Sequence, residues 1–463
     1  MLKRILVANR GEIAVRVIRA CREMNIETVA VYSEADRGAL FTTLATRAVC
    51  IGPARAEESY MNADALLTVA LAARCDGVHP GFGFLSENAA FAAAVRERGL
   101  TFVGPPPEVI AALGDKSAAR RLMRSVGVPV VPGSDGLTAT IEDARREASG
   151  LGYPVLVKAA AGGGGRGIRR ADSESGLESA FNEASAEALA CFSDGGVYIE
   201  KLIENPKHIE LQILADSFGN IIHLGERDCT LQRRNQKVLE EAPAPSLAEE
   251  RRRELGDAAV RAARAAGYIN AGTVEFIQDG GGECYFIEMN TRIQVEHPVT
   301  EMITGVDIVR EQLRIASGLP LRYAQEDIAF NGHAIECRVN AESPEDGFLP
   351  CPGKIGFLHL PGGFGVRVDS AAYPGCEVTP YYDSMLAKVI VHGRTRNEAV
   401  LRMRRALEEL LITGVKTNLG LLYMLMFSTD FLAGKTDTGF IERNLDALLK
   451  HISFDNPQGT IRL

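Results

Sequence analysis

The most informative run of this chain reads Glu288-Met289-Asn290-Thr291-Arg292-Ile293-Gln294-Val295-Glu296-His297. Its polar residues recur at every second position from Glu288 to Glu296. In an extended strand such residues point to one side, so the spacing predicts a strand that presents acid, amide, base, amide and acid in a row. A solvated edge strand can also carry polar residues. It has no need for this particular order of groups, and we favour a functional site.

The groups in this row suit a metal ion and a small anion. Glu288 and Asn290 offer hard oxygen ligands of the kind that Mg²⁺ prefers. Arg292 offers a planar fork for a small oxyanion, and Glu296 is a candidate general base. Glu275 lies between apolar neighbours on the preceding predicted strand and could supply a second metal carboxylate.

A glycine run forms the second motif, with Lys158 just before it and glycine at all positions 162–165. Consecutive glycines between two strands leave backbone N–H groups free to bind phosphate oxygens. The run is not a Walker A loop, because no Lys-Ser or Lys-Thr follows it, and it is not G-x-G-x-x-G. A flexible surface loop is the alternative, but the lysine on the preceding strand favours a nucleotide lid.

Two further segments leave alternatives open. Arg338 lies in the largely apolar stretch 333–340, where an unpaired arginine is costly. It could pair with a buried glutamate or stabilise negative charge on a substrate. The basic segment 229–237 is a solvated hairpin or part of a site. His208, Lys116 and Lys201 are isolated candidates that indicate little alone.

The first hundred residues alternate short apolar runs with helical patterns, which predicts a mostly parallel sheet. The segments 9–12 and 79–83 follow two of its strands, where ligands bind in such sheets. Gly104-Pro105-Pro106-Pro107 ends this pattern. Beyond it we predict helices over about 107–126, 139–151, 173–190, 247–266, 304–317, 396–411 and 416–426. Strands are predicted over 154–159, 167–170, 197–203, within 207–240 and 271–296, and as short pieces in 331–392.

Composition limits the possible classes of protein. The chain has 463 residues, 46% apolar and 24% charged, which predicts roughly three folded domains. A net charge of −9 without a basic stripe argues against nucleic-acid binding. Nine scattered cysteines indicate reduced thiols. The apolar run 5–8 is too short for a signal peptide, and no run approaches a membrane span. We therefore expect a cytoplasmic protein that binds neither nucleic acid nor membrane.

Taken together, these segments resemble the biotin carboxylase family of the ATP-grasp superfamily, over about residues 2–445. The resemblance is carried by 8–14, 79–88, the glycine run, 226–229, 232–234, 236–237, 286–309 and 380–385. It implies an α/β fold, α+β in the body, with a Rossmann-like N-terminal domain (1–114). An ATP-grasp domain (115–330) with a mobile glycine-rich lid (about 131–203) would follow, then a C-terminal biotin carboxylase domain (331–446) and a tail (447–463).

The resemblance also assigns roles to individual residues. ATP would contact Lys116, Lys158, Gly163, Gly164, Gly165, Glu200, Lys201, His208, Gln232 and Asn235. Mg²⁺ or Mn²⁺ on the ATP phosphates would be held by Glu275, Glu288 and Asn290. Bicarbonate would contact Arg292, Gln294 and the Val295 backbone, and biotin would contact Phe82, Gly83 and Arg338. The catalytic residues would be Glu296, Arg292, Arg338 and Lys237.

The implied reaction is the ATP-dependent carboxylation of biotin. Glu296 would deprotonate bicarbonate for attack on the γ-phosphate, which gives carboxyphosphate. That intermediate would break down to CO₂ and phosphate, and the phosphate would take the N1′ proton of biotin. Arg338 would stabilise the biotin enolate oxygen, with Lys237 near this centre.

Three departures from the family pattern are Phe82 in place of a frequent tyrosine, Asn235 in place of a frequent histidine, and Ala161, which shortens the glycine run by one. They remove no implied metal ligand or base, so we expect an active enzyme. A catalytically dead relative would have lost some of the set Glu275, Glu288, Arg292 and Glu296, and all four are present.

The resemblance further implies partners. No Ala-Met-Lys-Met type segment for biotin attachment occurs, so we expect biotin as a substrate on a separate biotin carboxyl carrier protein, with carboxyltransferase subunits completing the reaction. A homodimer is implied through Arg19, Glu23, Phe364 and Arg367. Acetyl-CoA carboxylase is the leading assignment. The same subunit of a propionyl-CoA, pyruvate or related carboxylase, and an ATP-grasp carboxylate–amine ligase, are the alternatives.

Overall fold

The computed structural model describes residues 1–160, 167–192 and 194–450. The glycine-run residues with predicted nucleotide contacts, Gly163, Gly164 and Gly165, lie outside these ranges, as do Ala161 and residues 451–463 of the predicted tail. Within the described ranges, every helix is too short or too polar to cross a bilayer.

The N-terminal region is a five-stranded parallel sheet in the order β3-β2-β1-β4-β5. Its elements are β1 (Arg4–Val7), α1 (Gly11–Glu23), β2 (Glu27–Ser33), α2 (Leu40–Leu44), β3 (Arg47–Gly52), α3 (Ala63–Ala72), β4 (Gly77–His79), α4 (Ala89–Glu97) and β5 (Thr101–Phe102). Ile5 and Val7 pack into one core and Leu6 and Ala8 into another. Because both faces are buried, the strand reads as a continuous apolar run, and the predicted parallel sheet is confirmed.

The next part holds α5 (Pro107–Gly114), α6 (Lys116–Ser125), α7 (Ile141–Leu151), β6 (Val155–Ala159), β7 (Ile168–Ala171), α8 (Glu174–Phe192) and β8 (Val197–Lys201). The single helix predicted over 107–126 is wrong. The chain breaks at Asp115, whose side chain accepts a hydrogen bond from the Ala118 N–H at 2.9 Å and caps the second helix. The three strands form a separate antiparallel sheet, β7-β6-β8, with its own core around Val157 and Leu177.

The body of the molecule continues with β9 (Lys207–Ala215), β10 (Ile221–Arg233), β11 (Gln236–Ala242), α9 (Glu249–Ala265), β12 (Asn270–Gln278), β13 (Cys284–Asn290), α10 (His297–Thr304) and α11 (Ile308–Ala316). The last part holds β14 (His333–Asn340), β15 (Glu342–Ser343), β16 (Leu349–Pro350), β17 (Gly353–Lys354), β18 (Leu358–His359), β19 (Val366–Ser370), β20 (Glu377–Val378), β21 (Met385–Gly393), α12 (Arg396–Glu409), β22 (Leu411–Ile412), α13 (Leu419–Leu425), α14 (Thr429–Leu432) and α15 (Phe440–Leu449).

Eight of these strands form one antiparallel sheet in the order β13-β12-β9-β10-β11-β14-β21-β19. Strands β11 and β14 are hydrogen-bonded neighbours, with Leu239 opposite Cys337 and Glu240 opposite Glu336. The sheet therefore runs without a break across residue 330, where the second and third domains are predicted to meet. Helix α10 packs on this sheet and lies against β14 and β21.

The predicted strand through Glu296 is wrong beyond Asn290. Strand β13 ends there, residues 291–296 form a turn segment, and α10 begins at His297. Pro298 lies in the first turn of that helix, where a missing N–H costs nothing. The polar residues still converge, because Arg292 donates to the side chains of both Asn290 and Gln294.

Candidate active site

Glu296 is the centre of the site and is fully buried at the start of α10. Lys237, at the start of β11, donates to its Oε1 at 2.6 Å. Arg338, on β14, donates to its Oε2 at 2.9 Å and to Glu240 on β11 at 2.6 Å. The arginine in an apolar strand is thus paired with two buried carboxylates.

Charge keeps this carboxylate ionised. Burial raises the pKa of Glu296, but the positive charges of Lys237 and Arg338 outweigh it and lower the pKa well below its ordinary value. Burial likewise lowers the pKa of Lys237, yet Glu210, Glu275 and Glu296 raise it well above the ordinary value. The site therefore holds a deprotonated carboxylate between two cations.

A second pair of carboxylates faces across β12 and β13, where Glu275 lies directly opposite Glu288. Glu275 Oε1 accepts from the side-chain amides of Asn290, at 2.8 Å, and Gln294, at 3.0 Å. Lys116 Nζ lies 3.4 Å from Glu288. Like charges directly opposite one another repel, so a divalent cation between them would stabilise the pair. The oxygen donors of these residues fit Mg²⁺ or Mn²⁺.

His208 lies beside these carboxylates on β9, with Nε2 3.1 Å from Glu275 Oε2. Burial lowers its pKa, but Glu275 outweighs that effect and the pKa is raised. Burial alone would raise the pKa of Glu275, and the charges of Lys237 and His208 lower it instead. His208, Glu210 and Glu275 each bring one potential ligand atom within 4.8 Å of the others.

Arg292 is held in place by neighbouring side chains. Its Nε donates to Glu87 Oε2 at 2.8 Å, its Nη1 to Gln294 Oε1 at 2.8 Å and its Nη2 to Asn290 Oδ1 at 3.1 Å. Glu87 belongs to the predicted segment 79–88, but sequence reasoning gave it no role. The Val295 carbonyl accepts from Lys388, another residue that sequence reasoning missed.

The basic residues predicted to contact ATP cluster around β6 and β8. Lys158 and Arg120 both form ion pairs with Glu200. Lys201 Nζ donates instead to two backbone carbonyls, those of Gly152 at 2.9 Å and Tyr153 at 3.1 Å. The sequence pattern around Arg120 predicts only a helix, α6, and gives this arginine no role. It adds a cation to this cluster.

The remaining predicted contacts lie at the edges of the site. Gln232 is buried on β10 opposite Lys237, whereas Asn235 is exposed at the hairpin tip with a left-handed φ of 63°. Asn9 Nδ2 donates to the carbonyl of Phe82 at 2.7 Å. Gly83 is exposed. In the part of the chain that the structure describes, no hydrogen bond joins Phe82 or Gly83 to Arg338.

Glu210 and Arg227 form a fully buried pair that sequence reasoning did not find. Arg227 Nε donates to Glu210 Oε1 at 2.5 Å, and Lys237 donates to Glu210 Oε2 at 2.6 Å. A signal was present, because His208, Glu210 and Gln212 alternate along an otherwise apolar strand. Glu210 connects a structural arginine to the lysine beside the central carboxylate.

The antiparallel body, the small sheet beside it, the facing carboxylates and the ionised Glu296 together define a nucleotide-dependent ligase of the ATP-grasp kind. Three family models agree. Residues 1–110 match the biotin carboxylase N-terminal domain, 115–324 the ATP-binding domain of the carbamoyl-phosphate synthase L chain, and 336–443 the biotin carboxylase C-terminal domain.

Whole proteins match over nearly the full chain. Biotin carboxylase 1 of Bacillus subtilis is 54% identical over 443 residues, which cover 96% of this chain and 98% of that protein. The 2-oxoglutarate carboxylase small subunit of Hydrogenobacter thermophilus is 53% identical and covers 96% of this chain and 94% of its own length. A crystal structure of that organism's biotin carboxylase domain dimer with MgADP, ADP and bicarbonate superposes with a TM-score of 0.93, 53% identity and coverage of 97% and 99%. The chain belongs to the biotin carboxylase family.

Membership of this family confirms the predicted fold class, the ligase activity with ATP and bicarbonate, and the use of Mg²⁺ with the nucleotide. It favours biotin carboxylation over carboxylate–amine ligation.

Proposed function

We propose that this chain carboxylates biotin on a separate carrier protein as the first half-reaction of acetyl-CoA carboxylase. The main support is the ionised Glu296, fully buried and in contact with Lys237 and Arg338. A deprotonated carboxylate can accept a proton from a small acid that binds beside it. The facing carboxylates Glu275 on β12 and Glu288 on β13 are the second support, because a metal ion between them would bind the phosphates of a nucleotide.

Bicarbonate is held by Arg292, Gln294 and the backbone of Val295 in this proposal. Glu296 takes the bicarbonate proton, and the resulting oxygen attacks the γ-phosphorus of ATP. The bond from that phosphorus to the β-phosphate oxygen breaks, which releases ADP and leaves carboxyphosphate. The bonds from Arg292 to Glu87 and Gln294 support this role, because they fix the guanidinium before the anion arrives.

The nucleotide contacts extend from the body to the small sheet. Glu275, Glu288 and Asn290 hold the metal ion, which neutralises phosphate charge when bound. Lys116, Lys158, Lys201, His208, Gln232 and Glu200 are assigned to ATP, together with Gly163, Gly164, Gly165 and Asn235. In this proposal the ATP-grasp domain spans residues 115–330, and residues 131–203 form its lid.

Biotin reacts in the second step. Carboxyphosphate breaks into CO₂ and phosphate, the phosphate takes the N1′ proton, and N1′ attacks CO₂. Arg338 stabilises the enolate oxygen of biotin, for which its guanidinium must share its hydrogen bonds with Glu240 and Glu296. Phe82 and Gly83 border this pocket, and Phe82 offers a ring without the hydroxyl that a tyrosine would add.

The partners are a biotin carboxyl carrier protein, carboxyltransferase subunits and a second copy of the chain. The relative from Hydrogenobacter thermophilus is described as a dimer. Here Arg19, Glu23 and Arg367 line one cavity of about 360 Å³, and Phe364 is 89% exposed. The nine cysteines carry free thiols, which supports a reducing cytoplasmic location.

The acyl acceptor distinguishes acetyl-CoA carboxylase from its sibling carboxylases. A relative named as a biotin carboxylase is 54% identical to this chain, and one named as the small subunit of a 2-oxoglutarate carboxylase is 53% identical. Propionyl-CoA and pyruvate carboxylases remain sibling assignments. Mixing the purified chain with its carrier and with carboxyltransferases of each kind distinguishes them, and transfer to acetyl-CoA is the expected result.

The half-reaction is tested by ADP release from purified protein with Mg²⁺ and ATP. We expect release to depend on bicarbonate and to rise when free biotin is added. Glu296→Gln should abolish most of it, whereas Glu283→Gln, at an exposed surface ion pair with Arg251, should not. Failure of biotin to stimulate the wild-type protein would refute the proposal.

A further inference from the structure

Lys388 is a fully buried lysine on β21 that the proposed chemistry does not use. Its Nζ donates to the carbonyl oxygen of Val295 at 2.9 Å and lies 3.0 Å from Glu12 Oε1. Asp369, on the neighbouring strand β19, lies 4.0 Å away. A lysine removed from water is costly unless anions and acceptors surround it, and here three elements supply them.

The position of Lys388 in the sheet relates it to the active site. It lies directly opposite Arg338 across β14 and β21, so the two side chains share one face. Arg338 reaches the carboxylate of Glu296, and Lys388 reaches the carbonyl of the residue before it. Adjacent strands therefore hold the same dipeptide, one by its side chain and the other by its backbone.

The hydrogen bond from Lys388 to the Val295 carbonyl fixes the orientation of a whole peptide group. A trans peptide is planar, so the carbonyl of Val295 and the N–H of Glu296 point in opposite directions and turn together. Residues 291–296 form a turn segment rather than a strand, so in the described part of the chain no backbone hydrogen bond from a sheet strand holds this peptide. A strong hydrogen bond from a charged donor is the contact that sets its orientation.

We propose that Lys388 is a positioning residue that orients the Val295–Glu296 peptide, and with it the base Glu296 and the adjoining backbone of Val295 that contacts bicarbonate. The inference rests on the proposed function, because it assigns bicarbonate to this segment. It separates Lys388 on β21 from the described nucleotide contacts, which lie on α6, β6, β8, β9, β10, β12 and β13 and in the β10–β11 turn. Loss of the ammonium should therefore weaken the use of bicarbonate and leave the use of ATP nearly unchanged.

The test compares steady-state kinetics of Lys388→Met with the wild-type protein. We expect the KM for bicarbonate to rise by about tenfold or more, the effect of losing a hydrogen bond from a charged group. The KM for ATP should change less than about twofold on the same reasoning. Lys388→Arg keeps a charged donor and should recover most of the bicarbonate KM.

Lys207→Met is the matched control. That lysine also donates to a backbone carbonyl, of Gly434 at 2.8 Å, but it points to the opposite face of β9 from His208. It should leave both KM values unchanged. Because Lys388→Met leaves Glu12 without its partner, the double variant with Glu12→Gln balances the charge and should show the same bicarbonate effect if the single variant folds poorly.

An unchanged bicarbonate KM in a folded Lys388 variant would overturn the inference. So would a parallel rise in the KM values for both substrates that Lys388→Arg does not reverse, since that is the mark of a general structural defect. These outcomes presuppose a wild-type protein with bicarbonate-dependent ADP release. A wild-type protein without it would refute the proposed function itself.

Discussion

Arg338 holds two buried carboxylates at once, Glu240 and Glu296, through different atoms of its guanidinium. A lysine in this position would keep the charge but could not reach both with a planar fork. The identity of the cation therefore matters as much as its charge.

We expect Arg338→Lys to lower biotin-stimulated turnover by about tenfold or more, the effect of removing a group that stabilises developing charge. Arg338→Ala should lower biotin-stimulated turnover at least as much. Arg233→Lys, at an arginine that contacts the Gly347 carbonyl outside the site, is the control. Turnover near the wild-type level in Arg338→Lys would contradict the assigned role.

Glu240 makes the stability of the protein depend on pH. Burial raises its pKa to about 7, with Arg338 opposing and Glu296 adding to the effect. The folded protein thus keeps a proton that the unfolded chain loses near pH 4.5. The contribution of this group to stability therefore decreases as pH rises from about 4.5 to about 7 and stays low above it.

Glu240→Gln should remove this dependence. Between pH 6 and pH 8 the wild-type protein should lose about 1 kcal/mol more of its unfolding free energy than the variant. Urea denaturation at the two pH values measures the difference, in which other titrating groups cancel. Parallel losses in the two proteins would show that Glu240 ionises normally.

The sequence predicts the reactive groups of the site better than the residues that hold those groups in place. The row from Glu288 to Glu296 was recognisable because its polar groups stand close together in the chain. The residues that hold it are distant: Glu87 is 205 positions from Arg292, and Lys388 is 93 positions from Val295. These long-range hydrogen-bond partners depend on how the chain folds and its strands pair, and a local sequence pattern does not predict that pairing.

At the scale of elements, alternation and apolar runs predict strands well where burial is simple. The β1 run was recognisable because both faces of the sheet are covered. The alternation in the first hundred residues does not mark the edge strand β3, because half of its residues are exposed and it has no clear apolar face. Beyond Asn290, alternating polarity continues in a turn segment, so the pattern alone placed the end of the strand too late.

Strand β10 contains a bulge that matters for the site. Its pairing with β9 shifts register between His223 and Glu226, and Gly225 there has a φ of 82°. Bulges redirect the residues that follow them, and Arg227 follows this one. A Cβ at Gly225 would lie 2.4 Å from the ring of Phe330.

Gly225→Ala should therefore destabilise the protein by about 2–4 kcal/mol, through backbone strain and overpacking together. Gly219→Ala in the loop before the same strand is the control, because its φ is 91° but its Cβ would meet nothing within 4 Å. It should show only the strain, about 1–2 kcal/mol. Equal losses in urea denaturation would argue against a packing role for the bulge.

At the scale of the whole molecule, Phe364 is the most exposed large apolar side chain in the described residues, at 89%. It belongs to the residue set that the family resemblance implies for dimerisation. An exposed phenylalanine suits a contact with a second copy of the chain.

Phe364→Asp should shift the protein towards monomer in sedimentation-velocity experiments, because a charge would then be buried at the interface. Phe218→Asp is the control, since Phe218 is 64% exposed in the turn between β9 and β10. It should leave the dimer intact. A monomeric wild-type protein, or an intact dimer in Phe364→Asp, would contradict the proposed interface.

The eight-stranded sheet bears on how this chain can be divided. A gene cut near residue 330 would leave β11 on one fragment and β14 on the other, each with an unpaired edge that invites aggregation. The three-stranded unit has its own core and ends its sheet within itself. Recombination or protein engineering should therefore exchange the three-stranded unit more readily than part of the eight-stranded sheet. That sheet has to be kept whole.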